Sequence, residues 1–370
     1  MKIAIDTFGC ENGRSGFGSY ILNFISNLPS LENKKIEFEL FGNEEDRYTY
    51  TSGKEISYQS VKILSNLKHL RIWHIFHMRS FAKKNKYDVV LFPAAHKVLP
   101  SSFRGYKGVV ILNSILSSDI KGQSWIYRHQ LKKGLRHAYK IIAASEYIKK
   151  DLIKLGARKE KITVIHNGID HKLFYPVLHL ADDIIDIKPF AIKRPYFVYS
   201  STLSGPEKKH IELIHAFELF KKNTGFPHRL VITGNEGLYS EKIHKVAFDS
   251  AYASDIFLTG FFPHESVAKL FAGAEACVFP SVNEGVGLPI LEAMASGIPV
   301  LCSDKGALKE IGGTAPLYFD SDNIDQIASC MRQIVEDKDL REKMIFDGTV
   351  WSAEFNWEKT VMKTISLFQA

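Results

Sequence analysis

Short apolar runs recur along the chain, each ending in a turn and followed by a stretch with apolar residues every three or four positions. This alternation of buried strand and amphipathic helix predicts parallel sheets covered on both faces. In the first half the strands expected are Lys2–Phe8, Ile36–Phe41, Asp88–Phe92, Val109–Leu112, Lys140–Ala144 and Ile162–Ile165. Helices are expected at Gly18–Leu28, His69–Lys84, Ser124–Ala138 and Tyr147–Leu155. A second cycle predicts strands at Tyr196–Ser200, Arg229–Thr233, Asp255–Leu258, Ala276–Pro280, Pro299–Ser303 and Leu317–Phe319. Its helices are expected at Ile211–Lys222, Glu265–Ala272, Leu288–Ala295 and Ile324–Val335. Residues Trp351–Phe368 read as one more helix, with Trp357, Val361, Ile365 and Phe368 on one side.

The pattern loses its period over His179–Lys193, so the break between cycles is placed there. The expected organisation is α/β: two Rossmann-like, doubly wound domains, residues 1–187 and 188–354, with 355–370 returning to the first. Ligands bind outside the carboxyl ends of such strands, so the site is expected in a cleft between the two domains.

Composition narrows this little. The 370 residues carry a formal charge of +7 with 45% hydrophobic residues, a soluble globular balance. The charge admits nucleic acid, an anionic membrane surface or an anionic small substrate. The basic residues lie in no recognised nucleic-acid module, which makes that partner the weakest of the three. Cys10, Cys277, Cys302 and Cys330 form no C-x-x-C pair, so neither a zinc knuckle nor a disulfide scaffold is expected, and a reducing cytoplasm fits. No run is long and apolar enough to cross a bilayer. The expected location is cytoplasmic, in solution or peripheral on the inner face of the membrane.

The stretch from Phe279 to Val300 carries the chemistry. A strand ends, a loop with Gly285 and Gly287 comes next, and Pro289 opens a helix at the position where its missing N–H costs nothing. Unpaired amides at a helix start suit a diphosphate, and glycines let backbone amides approach phosphate oxygens. Glu292 lies one turn into the helix and leans back toward its start, in reach of ribose hydroxyls. Glu284, on the loop, can accept from hydroxyls of a sugar. The bland alternative is a βα turn with two surface glutamates.

This stretch resembles the E-x7-E signature of the family 4 glycosyltransferases. Pro206-Glu207-Lys208, ahead of Leu213-Ile214 and Ala216-Phe217, resembles the family's lysine element, and Lys208 rather than Lys209 is the match. Leu230–Gly234, Ile256–Gly260, Ile141–Ile153 and Ile162–Asp170 resemble other family segments, so the likeness covers most of the chain. It implies the GT-B fold and a retaining transfer of a hexose from a nucleotide sugar without a bound metal or other cofactor. The donor implied is GDP-mannose or a UDP-hexose. The acceptor is a glycan or lipid-linked glycan of a surface polysaccharide or lipopolysaccharide. Lys208 and the amides of Gly285, Val286, Gly287 and Leu288 are then the groups facing the phosphates, and Glu284 and Glu292 the sugar and ribose contacts. Lys208-Lys209 could equally be a solvated surface pair.

Gly16-Phe17-Gly18 resembles the family's G-x-G loop near donor phosphate and acceptor, or is a simple turn. The sequence departs from the family at Thr202, where an arginine is common, and at Asn113-Ser114, where H-D is common. Asn113 cannot be a general base but can hydrogen-bond a sugar hydroxyl. His96 follows another strand end and is read as a contributor or an ordinary loop histidine. Base contacts are expected from backbone near Gly260-Phe261-Phe262. Two other readings stay open: a sugar-nucleotide epimerase of the same architecture, and a non-catalytic glycan or partner binder. Residues 68–86 and 121–142 are basic without acids and amphipathic. They suit an anionic lipid surface or solvated helix faces equally.

Overall fold

The structure is a computed structural model, described for all residues except 14–15, 30–35, 53–54, 65, 181 and 370. The chain folds as two compact units, Met1–Gly168 with Trp357–Ala370, and Ile169–Asn356.

The first unit is a parallel sheet of β1 (Lys2–Asp6), β2 (Glu37–Gly42), β3 (Ser57–Ser60), β4 (Val89–Phe92), β5 (Lys107–Leu112), β6 (Lys140–Ala143) and β7 (Ile162–Val164), in the order β3-β2-β1-β4-β5-β6-β7. Its inner strands are buried on both faces, as in β4 with four buried residues in a row. That is the pattern that parallel strands sandwiched by helices require. Ser124 caps the helix Trp125–His137 through Tyr127 N–H, and Ser145 caps Glu146–Lys154 through Ile148 N–H. The last helix, Trp357–Gln369, puts Trp357, Val361, Ile365 and Phe368 into this unit's core.

The second unit opens with an antiparallel hairpin, β8 (Ile184–Ile187) and β9 (Phe190–Lys193). Its parallel sheet holds β10 (Tyr196–Ser200), β11 (Arg229–Thr233), β12 (Ile256–Leu258), β13 (Ala276–Phe279), β14 (Val300–Ser303) and β15 (Leu317–Phe319), in the order β12-β11-β10-β13-β14-β15. In both parallel sheets the strand order reverses once, between β1 and β4 and between β10 and β13. That reversal is the topological switch point where loops diverge and leave a crevice.

Several expectations change. The aperiodic stretch is no linker: it forms the β8–β9 hairpin, with Ile185, Ile187 and Ile192 buried. The second unit therefore starts at Ile169 rather than at 188. The stretch His69–Lys84 is two helices, Leu67–Phe76 and Met78–Lys84, parted at His77. His74 is drawn inward, where its Nε2 lies 2.7 Å from Asp6 at the end of β1. Residues 351–368 are likewise not one helix: Lys338–Ser352 ends in the second unit and Trp357–Gln369 begins in the first. Helix Ser240–Asp249 and strand β3 had no expectation. The four cysteines are free and buried. Among the described residues no helix is long and apolar enough to cross a membrane.

Candidate active site

The second unit's switch point brings two loops together. The β10 loop runs from Ser201 to a 3-10 turn, Pro206–Lys208. The β13 loop runs from Pro280 to Gly287, where the helix Leu288–Ala295 begins. Lys208 Nζ donates to Glu284 Oε2 at 2.9 Å, and both side chains are about one-fifth exposed. The sequence places them 76 positions apart, so sheet topology alone creates the pair.

The pair sits on a rigid base. Tyr199, fully buried, donates its hydroxyl to the Lys208 carbonyl at 2.8 Å, and Val282 N–H donates to the Glu207 carbonyl at 2.9 Å. Ala307 N–H donates to the Glu284 carbonyl at 2.8 Å from the loop after β14. Gly306 makes that approach possible: its φ is +64°, and a Cβ there would lie 2.7 Å from the Glu284 carbonyl oxygen.

Lys209 behaves differently from its neighbour. Its φ of +57° is uncommon for a side-chain-bearing residue and costs on the order of 1–3 kcal/mol. Its ammonium is engaged by Glu212 at 2.8 Å and Asp322 at 2.6 Å. Lys209 is thus a structural cation, while Lys208 faces the switch-point loops.

Gly287 caps the helix at φ +70°, and Pro289 is inside the first turn. Gly285, Val286 and Gly287 are buried and Leu288 is half-buried. Glu292 is half-buried, and no hydrogen bond to its carboxylate is found among the described residues. Burial pushes that carboxyl above the usual glutamate range, partly offset by the nearby His264. A half-buried carboxylate without a donor carries a desolvation cost that a hydrogen-bond donor would offset. Thr202 is exposed on the β10 loop, and Phe261, 60% exposed, follows edge strand β12, two strands from β10.

The remaining candidates belong to the first unit. Gly16 and Gly18 lie inside the helix Gly16–Ser26 rather than ahead of it. A Cβ on Gly18 would lie 2.5 Å from both the Cys10 carbonyl oxygen and Gly13 Cα, so packing alone requires glycine there. Gly16 has open space. Asn113 follows β5, and its Nδ2 is buried without a partner. His96, beyond β4, stacks on Phe17 with centroids 4.3 Å apart, and its Nδ1 is also buried and unpartnered. Burial, with Lys97 and Arg71 nearby, lowers its pKa to about 4.

Sequence reasoning missed Tyr199, Ser281 and Gly306. Ser281, fully buried, places Oγ 3.5 Å from Glu284 Oε2. A glycine shortly after a strand end, as at Gly306, was the one signal available.

Two doubly wound units, one with a lysine–glutamate pair and a helix start at its switch point, define the GT-B class of fold. The chain belongs to the family 4 glycosyltransferases. The model described as Glycosyltransferase Family 4 matches residues 15–173, and that described as Glycosyl transferases group 1 matches residues 182–350. Over 174 residues, 47% of this chain, it is 32% identical to O-antigen chain mannosyltransferase B of Escherichia coli, covering 45% of that protein. To the serotype-specific mannosyltransferase WbdA of Escherichia coli it is 28% identical over 174 residues, 46% of this chain and 21% of that one. The matches thus span less than half the length of these relatives. An uncharacterized glycosyltransferase of Methanocaldococcus jannaschii, MJ1178, is 25% identical over 96% of this chain and 94% of its own. Among solved structures, sucrose-phosphate synthase from Thermosynechococcus elongatus superposes with a TM-score of 0.76 at 16% identity, covering 100% and 98% of the two chains. Anabaena HepE in complex with UDP and glucose gives 0.74 at 17%, covering 100% and 99%.

Proposed function

We propose that the chain transfers a hexose, mannose first among candidates, from a nucleoside diphosphate sugar to a glycan or lipid-linked glycan acceptor. The anomeric configuration is retained, and the product is part of a surface polysaccharide. The observation that carries this reading is the Lys208–Glu284 pair at the switch point, with Glu292 one turn along the adjoining helix. The names of the Escherichia coli relatives support mannose, and hence GDP-mannose ahead of a UDP-hexose.

In this reading the chain's main task is charge relief. As the glycosidic bond breaks, negative charge grows on the β-phosphate while the sugar becomes oxocarbenium-like. Lys208 and the amides at Gly285–Leu288 face that charge, and one such preorganised donor is worth on the order of 3–4 kcal/mol. Glu284, released from Lys208 by the incoming phosphate, accepts from the hexose hydroxyls. Glu292 accepts from the ribose. Asn113, with a free amide, hydrogen-bonds a hydroxyl on the sugar or acceptor. Donor-facing roles for Gly16, Gly18, Thr202 and Phe261 belong to the same proposal, which routes no step through a metal. The reaction would run on the cytoplasmic side, where nucleotide sugars are made.

The test is turnover. Purified chain is incubated with GDP-mannose, and separately with UDP-glucose and UDP-galactose, each with and without a mannose-terminated oligosaccharide. The expected result is acceptor-dependent release of one nucleoside diphosphate and an α-linked product by NMR. Release that ignores the acceptor, or a β-linked product, contradicts the reading.

A further inference from the structure

The hairpin that opens the second unit turns one face inward and the other to solvent. Strands β8 and β9 pair in the register Ile184–Lys193, Ile185–Ile192, Asp186–Ala191 and Ile187–Phe190. Successive side chains alternate between the two faces, so Ile185, Ile187 and Ile192 go inward and are buried. That inner face is closely fitted. A Cβ on Gly273 would lie 2.6 Å from Ile185 Cδ1, so glycine there makes room for the isoleucine. Phe190 packs edge-on against Phe262, with ring centroids 5.9 Å apart. Ile184, Asp186, Ala191 and Lys193 are left on the outer face, all exposed.

Arg194 fastens the segment ahead of the hairpin to its open end. Its Nε donates to the Gly273 carbonyl at 2.8 Å, its backbone N–H to the Asp183 carbonyl at 2.9 Å, and its Nη1 to the Leu180 carbonyl. In that segment Leu178 is fully exposed and Leu180 is 72% exposed, beside Ile184 at 62%. Large aliphatic side chains held this close together in water mark an interaction surface rather than scattered exposure.

The outer face is complementary to itself. In the register above, its side chains stand at the corners of a rectangle, with Ile184 and Ala191 on one diagonal and Asp186 and Lys193 on the other. Neither charged group has a side-chain partner among the described residues. A two-fold axis along the apolar diagonal lays this face on a second copy so that Ile184 meets Ile184, Ala191 meets Ala191, and each Asp186 meets a Lys193. An axis along or across the strands would set Ile184 against a charge. An axis along the charged diagonal would set like charges together. The one favourable axis crosses the two hairpins near a right angle, which is one of the two ways in which sheets pack face to face.

We infer that this outer face is a symmetric dimer interface between two copies of the chain. Ile184 and Ala191 form its dry centre, two Asp186–Lys193 ion pairs fix its register, and Leu178 and Leu180 flank the centre and exclude water. None of these residues is a donor-site group, so association and turnover are tested separately.

The experiment is sedimentation equilibrium of the full chain at concentrations up to roughly 100 μM, where a small interface populates a dimer. Wild type is expected to show a monomer–dimer equilibrium. Asp186→Lys alone and Lys193→Glu alone each set like charges together at both pairs, and each is expected to weaken the dimer about 100-fold. The two single variants mixed in equal amounts are expected to dimerise with each other, because every facing pair is then again a cation and an anion. The double variant is expected to regain wild-type association for the same reason. Ile184→Glu is expected to abolish the dimer. All of these positions are exposed, and melting temperatures near wild type check that each variant folds. Three results overturn the inference: a wild type that stays monomeric throughout, a dimer that survives Ile184→Glu or either single charge reversal, or reversed variants that do not associate when mixed.

Discussion

The two parallel sheets reverse strand order in the same way, yet the two switch points surround their ion pairs with different groups. In the second unit the crevice holds a cation and an anion in contact, Lys208 and Glu284, over a base pinned by Tyr199 and Gly306. In the first unit an ion pair, Lys97 with Glu11, also joins the loops after β1 and β4, with Lys97 donating to the Gly9 carbonyl at 3.0 Å; near it are neutral groups, a histidine with a pKa near 4 and, after β5, an asparagine, each with a buried nitrogen that lacks a partner. In the proposed reading the more enclosed pair, Lys208 with Glu284, is where a phosphate leaves. Neutral, unsatisfied hydrogen-bonding groups belong where hydroxyls arrive, because a buried polar atom gains most from a partner brought by the ligand. In that reading one architecture serves two ligand chemistries through its loops alone: those after β1, β4 and β5 in one unit, those after β10 and β13 in the other.

The comparison breaks most visibly at Lys208. Lys208→Ala should lower turnover by about 10²–10³ with little change in nucleoside affinity, read by steady-state kinetics against direct nucleotide binding. Lys209→Ala should leave turnover near wild type and lower stability instead, since Lys209 serves Glu212 and Asp322.

Glu292→Gln comes next. Loss of charge-assisted bonds to ribose, about 1.5–3 kcal/mol, should weaken donor binding by one to two orders of magnitude. Stability should move the other way. The folded carboxyl has a raised pKa, so its ionised form is a cost to the fold above that pKa, and the cost fades as pH falls toward the ordinary glutamate value of 4.5. Melting scans should show Glu292→Gln above wild type at neutral pH, by roughly 2–4 °C per 1 kcal/mol relieved, with the gap closing in acid.

Gly306→Ala sharpens the account of how Glu284 is held. An added Cβ at positive φ, pressed on the Glu284 backbone, should cost about 1–3 kcal/mol and raise KM for the donor more than it lowers stability elsewhere in the unit.

The smallest effect is expected at His96. With its pKa lowered from 6.5 to about 4, the folded protein resists a proton that the unfolded chain accepts, so stability falls as pH drops through that window. His96→Gln should flatten the melting-temperature slope between pH 6.5 and 4 without abolishing activity.

What the sequence made legible was local. The strand–turn–helix run from Phe279 to Val300 shows its own geometry, because glycines, Pro289 and a single helical turn set the spacing of Glu284 and Glu292. The choice of Lys208 over Lys209 was readable only by likeness to the family; in the structure Lys208 pairs with Glu284, while Lys209 is held by Glu212 and Asp322. Contacts across distant segments were not readable. Tyr199 carries no sign that it grips the Lys208 carbonyl, and Gly306, though a glycine after a strand end, does not say that Glu284 is the group whose approach it permits. The polar edge strand Ser57–Ser60 carries no apolar alternation, and the hairpin at Ile184–Lys193 hides its alternation beside charges and Pro189.

The central claim is that the β13 loop and the helix behind it hold a nucleoside diphosphate sugar. Its most direct test is thermal shift of wild type and Glu292→Ala with GDP, UDP, ADP and dTDP and their sugars. The account predicts a clear rise for one nucleotide series in wild type, lost in the variant. A wild-type chain that no nucleotide stabilises, or a shift that persists unchanged in Glu292→Ala, would contradict it.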